Sequence, residues 1–414
     1  MPTIPACPSP APASAIAHID ADSFFASVLV RKHPHLKGKP LLAIGMGGGC
    51  VIAATYEAKA KGVKTGMPLF EARKLVPGAV EMASDFAETG LASQQIEDVL
   101  RNYCPIVEQM SIDEWFVDLS AMQGGVPKNT AAWSCGVQRD VLRKTALSVS
   151  VGVAPSKTLA KMASEYRKPA GVTAVHMHDI ERFLRDRSAA AIPGIGKNRK
   201  QHADMYGWLT AWDFANADSE LVRKVCGRPG WDLQRELKGE RVYFLVSEPT
   251  APKSISRCRT FSATADMYEL RAHMLRHLEY TVLKMRRQGL GCAIVCVSLR
   301  DKDFYRSGTC RRLQRQCVTE ADILPEALRC LDAAVQPGKR YNQVSLGLYE
   351  LTPAGERQYS LFEDPNDEER DESVQQALDS IHERFGRDAV TRATALRVAS
   401  GTTRGLDLPT AEVR

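Results

Sequence analysis

Residues 105–119, PIVEQMSIDEWFVDL, place two acids, Asp113 and Glu114, side by side inside an otherwise apolar stretch. Ile106, Val107, Ile112, Trp115, Phe116 and Val117 give that stretch the β-branched and aromatic character of a buried sheet. An unpaired carboxylate in such a setting costs several kcal/mol or neutralises itself. A divalent metal ion removes that objection, so the pair reads as metal ligands. Neighbouring residues on a regular strand face opposite ways. The stretch is therefore expected to be a strand, a tight bend carrying Asp113 and Glu114, and a returning strand, with a solvated hairpin tip as the plain alternative.

A third acid, Asp20, ends the short apolar run AIAHID. It is not needed as a helix cap, because Asp22 or Ser23 can cap the helix whose Phe24, Phe25, Val28 and Leu29 follow at helical spacing. Cations accompany the acids. Tyr56 and Lys59 share one face of the short helix in TYEAKAKGV, which Gly62 ends; alone they are an ordinary amphipathic surface. Lys157 follows the strand LSVSVGVA and opens a helix carrying Leu159, Met162, Ala163 and Tyr166. A cation in a first turn opposes the helix dipole and makes sense where a phosphate docks; an exposed, tolerated lysine is the alternative. In Ile-Pro-Gly-Ile-Gly-Lys (192–197), Gly194, Gly196 and Lys197 separate helical segments. Backbone amides could meet a phosphate there, or the segment is a simple Pro-Gly turn.

The elements that must position these groups are short strands alternating with helices. Helices are expected over 84–104, 131–145, 269–288 and 320–335, and strands over 40–44, 50–53, 292–300 and 342–351, with a linker at 240–253. The glycine-rich loop 45–49 lacks the Gly-Lys-Ser/Thr of a phosphate-cradling P-loop and reads as a flexible hairpin. At 414 residues the chain is too long for one ordinary core. Its 55 Lys+Arg against 49 Asp+Glu are a mild excess whose placement matters more than its size. Residues 281–316 carry nine Lys/Arg and two Asp/Glu (9 − 2 = +7), with Phe304 and Tyr305 among them, a pattern suited to nucleic-acid backbone. Residues 356–373 carry eight acids and two arginines (2 − 8 = −6) and read as a disordered tail holding the apolar hook QYSLF. Eleven cysteines without a framework suit a reducing cytosol, and Cys292 and Cys296 fit one buried strand face. The Pro/Ala-rich start lacks the marks of a signal peptide, and no apolar run is long enough to span a membrane.

Taken in order, IAHIDADSFFAS, VIAATYEAKAKGVKTGMP, SIDE, SVGVAPSKTLAKMAS, KPAGV, IPGIGK and QYSLF resemble the motifs of the Y-family (translesion) DNA polymerases, over residues 14–362. The resemblance implies a multidomain α+β, right-hand fold. After a disordered lead (1–13) come a palm (14–22 and 83–173), fingers (23–82) and a helix-hairpin-helix thumb (174–240). A linker (241–252), a little finger (253–352) and a tail (353–414) with a clamp-binding peptide follow. It implies template-directed, low-fidelity synthesis past damaged bases. Two Mg²⁺ ions would be held by Asp20, Asp113, Glu114 and the backbone carbonyl of Ala21.

On the same grounds Phe24, Phe25, Tyr56, Lys59 and Lys157 contact the nucleotide, with Phe25 as the steric gate against ribose. Gly194, Gly196 and Lys197 hold duplex backbone, and Gln358, Leu361 and Phe362 dock on the β sliding clamp. Deoxynucleoside triphosphates and primer-template DNA are the implied substrates. A monomeric cytoplasmic protein, served by SOS accessory proteins, is the implied setting. Asp22 and Phe25 are as in the polymerase IV branch, while CVIAATYEAKAKGVK looks more like the polymerase V catalytic subunit. Lys59 replaces an arginine, Ala53 and Ala54 replace a hydroxyl residue, Tyr359 replaces a leucine, and Trp115 stands where a small residue is usual. The competing readings are a non-catalytic scaffold that binds DNA and clamp, and a nucleotide cyclase.

Overall fold

Runs such as IAHIDA and VSVGVA, mostly small or β-branched, can be buried on both faces, and both become fully buried strands. The computed structural model describes residues 15–45, 49–247, 251–355, 365–386 and 388–398. The hook positions Gln358, Leu361 and Phe362, and residues 46–48 of the glycine loop, lie outside them. The chain divides into two compact units, Met1–Pro249 with Leu408–Arg414, and Thr250–Asp407.

The first unit begins with β1 (Ile16–Ala21), α1 (Phe24–Lys32), β2 (Leu41–Ile44), β3 (Val51–Ala54), α2 (Tyr56–Lys59), α3 (Leu69–Leu75) and β4 (Val80–Ala83). It continues with α4 (Phe86–Tyr103), β5 (Val107–Gln109), β6 (Glu114–Asp118), α5 (Thr130–Thr145), β7 (Val149–Ala154), α6 (Lys157–Tyr166) and β8 (Val172–Ala174). Four helices close it: α7 (Ile180–Arg185), α8 (Lys197–Met205), α9 (Ala211–Asn216) and α10 (Ser219–Leu237). The main sheet has the order β5-β6-β1-β7-β8, with β1 antiparallel to both neighbours. Ala17, Ile19, Trp115 and Val117 face a core shared with Ile96 and Leu100 of α4 and Val137 and Val141 of α5. The unusual Trp115 is fully buried there, so a large ring anchors the strand that carries Glu114.

The opposite face, carrying Ile16 and Phe116, packs on Leu159 and Ala163 of α6. Gly152 permits that approach: a Cβ there would lie 2.2 Å from both the Ala160 oxygen and the Ser164 nitrogen. The start of α6 is fixed twice over. Ser156 caps it and donates to the Glu236 carbonyl at 2.7 Å, and the buried Glu236 carboxylate accepts from the amides of Thr158, Val242 and Tyr243. A smaller sheet, β3-β2-β4, packs α2 and α3 around Leu42, Val51 and Ala72, and α1 around Leu41 and Ala43 through Ala26 and Leu29. The last of these helices, α10, is broken at Gly227 by a left-handed φ of 68°.

The second unit contains β9 (Ser254–Thr264), α11 (Met267–Arg287), β10 (Leu290–Asp301), β11 (Arg306–Cys317), α12 (Glu320–Ala334), β12 (Tyr341–Tyr349), β13 (Thr352–Pro353) and α13 (Pro365–Phe385). Its sheet runs β11-β10-β12-β9. Leu270, Val282, Ile323 and Leu331 of α11 and α12 cover one face, against Val295, Val297 and Leu346. The expectation that Cys292 and Cys296 share a buried face is corrected by an irregularity between Cys292 and Ile294, which shifts the register. Cys292 stays buried, while Cys296 turns to the open face and is disulfide-bonded to Cys310, its direct partner on β11. The acidic stretch expected to be disordered is, in its described part, the start of α13. Asp379 pairs with Arg286 at 2.6 Å, and Gln375 accepts from the Glu320 amide at 3.0 Å. Beyond α13, Thr391 donates to Glu279, Arg392 pairs with Glu320, and Ala395 is buried in this unit's core. Among the described residues no helix is long and apolar enough to cross a membrane.

Because the obstacle at Gly152 is backbone, which a rotamer change cannot relieve, Gly152→Ala is expected to destabilise the first unit by about 3 kcal/mol or more. Urea unfolding of the variant beside the parent checks this; an unchanged midpoint would mean that α6 is not held at this distance.

Candidate metal centre and anion site

Directly opposed residues of antiparallel strands project to the same face. Asp20 on β1 stands opposite Glu114 on β6 and Ser150 on β7, so the two acids meet on the face that α6 covers. Asp20 is 5% exposed. Glu165, at the end of α6, brings a third carboxylate, and one oxygen from each of Asp20, Glu114 and Glu165 lies within 4.8 Å of the others. These are hard oxygen donors, the set that suits Mg²⁺, Mn²⁺ or Ca²⁺ better than a softer ion.

Cations from α6 and the loop after it offset the acids. The Lys168 ammonium bridges Asp20 at 2.6 Å and Glu165 at 2.9 Å, and Lys161 pairs with Glu114. Burial pushes the Asp20 carboxyl up to about 8 against the pull of Lys168, with Glu165 and Glu114 adding to the rise. Beneath the acids lies His18, fully buried and bonded through Nδ1 to Ser164 Oγ at 2.7 Å. Ser164 already donates to the Lys161 carbonyl, so the His18 ring is the donor. Burial, reinforced by the surrounding lysines, holds His18 well below its usual range.

Asp22 does not cap α1. Its buried carboxylate accepts from Ser150 Oγ and from the Ala170 amide, both at 2.8 Å, and from Tyr56 Oη at 3.4 Å. It thereby ties the sheet, the Lys168 loop and α2 together. Burial, then the Asp22 charge, pushes Tyr56 up to about 12. Lys59 lies 4.7 Å from the Tyr56 ring centroid, and burial, then the Lys168 charge, pulls its pKa down. The half-buried Lys59 ammonium thus lies in the field of a second cation, a setting that favours an anion.

The expected site residues fall into groups. Asp20 and Glu114 meet, and Glu114 is the first residue of the returning strand instead of part of the bend. Asp113 occupies the bend: its carbonyl accepts from the Ala21 amide at 2.9 Å, and its carboxylate accepts from Ser111 Oγ at 2.6 Å, outside the trio. Phe25 is half-buried, edge-on to Phe86 at 5.4 Å. Phe24, expected to touch the nucleotide, is instead a core residue beside Ala21 and Val28, with no face left for a ligand. Lys157 is also corrected. Its ammonium is paired with both oxygens of Glu108 at 2.7 and 2.8 Å and lies over the Phe116 ring. It is about 12 Å along α6 from Glu165. Gly194 has a φ of 90°, and Gly196 precedes α8 with no side-chain cap, leaving the amides at the start of Lys197–Met205 without a side-chain acceptor.

The residues that the motif reading missed are Glu165, Lys161 and Lys168. A signal existed: 157, 161, 165 and 168 form one charged stripe of α6 and its exit, opposite Leu159, Met162 and Ala163.

The chain matches the model of the impB/mucB/samB family over residues 19–165 and that of the family's C-terminal domain over 252–361. It is 32% identical to the DNA polymerase IV of Caulobacter vibrioides over 404 residues, 95% of this chain and 98% of that one. It is 35% identical to the DNA polymerase IV of Methanoculleus marisnigri over 306 residues, 72% and 84% of the two chains. A solved Y-family DNA polymerase chimera superposes with a TM-score of 0.72 at 23% identity, covering 81% of this chain and 99% of that one. At that identity the likeness concerns the fold.

A divalent ion at Asp20 needs the carboxylate ionised, and Asp20 holds its proton up to about pH 8. The apparent affinity of the metal-free chain for Mn²⁺ is therefore expected to rise about tenfold per pH unit from about pH 6 to 8 and then level off. Calorimetric titration checks this; a flat profile contradicts it. A carboxyl pKa raised in the folded state also means that the metal-free fold loses stability as pH climbs from the ordinary carboxylate range through about 8. Asp20→Asn should remove that slope.

Proposed function

Because the chain belongs to the impB/mucB/samB family, that of the Y-family DNA polymerases, and is a DNA-directed DNA polymerase of the translesion class, we propose that Asp20, Glu114 and Asp113 form its catalytic metal centre. The observation that carries this reading is the cross-strand meeting of Asp20 and Glu114 on a covered sheet face, with Glu165 beside them. Asp113, the neighbour of Glu114 in the chain, would join the group by giving up the Ser111 hydroxyl. The Ala21 carbonyl, next in the chain to Asp20, completes the oxygen set. Bound there, two Mg²⁺ ions would lower the pKa of the primer 3′-hydroxyl and offset the charge on the triphosphate and the leaving pyrophosphate.

The substrates are primer-template DNA and a nucleoside triphosphate. Lys59 and Lys168, crowded together beside Tyr56, supply the positive charge that receives the triphosphate. Lys168 takes the part expected of Lys157. A lysine serves there as a point charge and does not fix phosphate geometry as an arginine fork does. The Phe25 ring, braced on Phe86, stands five residues after Asp20 at the start of α1 and acts as the sugar gate. The amides opening α8, with Gly194, Gly196 and Lys197, hold duplex backbone without reading sequence. Gln358, Leu361 and Phe362 serve as the anchor for a β sliding clamp, which would keep the enzyme at the primer end. A non-catalytic scaffold has no use for three acids and two crowded lysines, so the catalytic reading is preferred.

Asp113→Ala and Glu114→Ala are each expected to lower Mg²⁺-dependent primer extension by about a hundredfold or more; extension at the parent rate would remove the residue from the centre. Phe25→Ala should admit ribonucleotides, measured as the ratio of kcat/KM for matched ribo- and deoxynucleotides. Lys168→Ala should raise the nucleotide KM by about tenfold, as expected for a lost charge-assisted bond. Lys157→Ala should leave KM within about twofold and act on thermal stability instead, since its half-buried partner Glu108 then keeps only the Val246 amide and loses its counter-charge.

A further inference from the structure

The hairpin joining β10 to β11 ends in two adjacent aromatic rings that point into water. Phe304 is 75% exposed and Tyr305 is 72% exposed. Apolar rings so placed are ordinarily left by a loose loop, but this turn is tightly built. Asp301, almost fully buried, accepts the amides of Asp303 and Tyr305 on one carboxylate oxygen, both at 2.9 Å. Its other oxygen pairs with Lys339 at 3.2 Å, its amide donates to the Tyr305 carbonyl at 3.0 Å, and its carbonyl accepts from Phe304 at 3.2 Å. The turn also holds Phe304 at a φ of 66°, a conformation that a bulky side chain rarely adopts. A preorganised turn that keeps two rings out of any core is a binding feature, not a packing one.

The charges around it name the chemistry of the partner. Arg300 and Arg306 stand directly opposite each other across the strands, an arrangement that repels unless an anion lies between or above them. The Arg300 guanidinium is 5.0 Å from the Phe304 ring centroid, and the Lys339 ammonium is 5.6 Å from that of Tyr305. Lys302 adds a further exposed cation, and Asp303 is the one acid of the turn not already engaged by it. Rings interleaved with cations match a strand whose phosphates and base faces are both available, which paired DNA does not offer.

We propose that the Phe304–Tyr305 tip is a stacking platform for unpaired bases of the template strand, with Arg300, Arg306 and Lys339 holding the adjoining phosphates. This deepens the polymerase reading and rests on it. Single-stranded template is distinguished here from the duplex backbone to which the basic run as a whole is suited.

The test is fluorescence anisotropy of the full chain with a labelled duplex, blunt or carrying an unpaired 5′ extension. The parent is expected to bind the extended form more tightly. The double variant F304A/Y305A should lose about tenfold on the extended form and less than about twofold on the blunt one, the size expected for lost base stacking. F304W/Y305W, which keeps the ring faces, should restore the preference, and circular dichroism confirms that each variant is folded. Equal losses on both DNAs, no loss on either, or a tryptophan variant as weak as the alanine one would overturn the proposal. Failure of the parent to extend a primer at all would count against the polymerase reading instead, and is read in a separate assay.

Discussion

The first unit is organised by the concentration of negative charge on the inner face of one sheet. Carboxylates from β1, β6 and α6 approach within a few ångströms, running from the buried Asp20 through the half-buried Glu114 to the exposed Glu165. Mutual repulsion and lost hydration both oppose that arrangement. What holds it is a second row of charge on the covering helix: Lys161 on Glu114 and Lys168 on Asp20 and Glu165. The helix can deliver those ammonium groups because Gly152 lets its backbone touch the sheet and because Glu236 and Ser156 fix its first turn. The fold around the site is therefore the means by which like charges are kept at contact distance, each carboxylate answered by an ammonium group of the covering helix or the loop after it.

Much of this arrangement was legible in the chain. Asp20 was expected at the end of a buried strand and Glu114 in the bend with Asp113, and the pairing of β1 with β6 brings Asp20 and Glu114 face to face. Spacing placed Phe25 and Tyr56 on helices, and only the family resemblance drew them to the site. Phe24 did not, because helical periodicity gives the spacing of apolar residues but not which of two adjacent rings turns inward. Lys157 misled for a related reason. Its position in a helix's first turn suggests a phosphate, yet Glu108 lies on β5, and nothing local in the sequence reports that a strand edge passes beside that turn. Glu165 and Lys168 were hidden by the opposite effect: each looks like a solvated surface charge until the helix is laid on the sheet.

The second unit shows the same limit. The arginine-rich β11 reads as a loop or a solvated run, since its charges mask the two-residue period, and only pairing along β10 reveals it as a strand. The cysteine pair was misjudged because the β10–β11 register shifts between Cys292 and Ile294, a two-residue step on β10 facing a five-residue step on β11, and no composition rule registers such an irregularity. The acidic segment gained its helix from partners on α11 and α12, supplied by residues far away in the chain.

Asp22 has a consequence for how the enzyme can move. One carboxylate is the common joint of three pieces: the sheet through Ser150, the Lys168 loop through Ala170, and the β3-β2-β4 layer through Tyr56 of α2. The first two links are short and the third is long, so the joint has a built-in order of release. Any displacement of the β3-β2-β4 layer from the main sheet would therefore strain the Tyr56 link before the other two, leaving the Lys168 loop tied to the strand that carries Asp20.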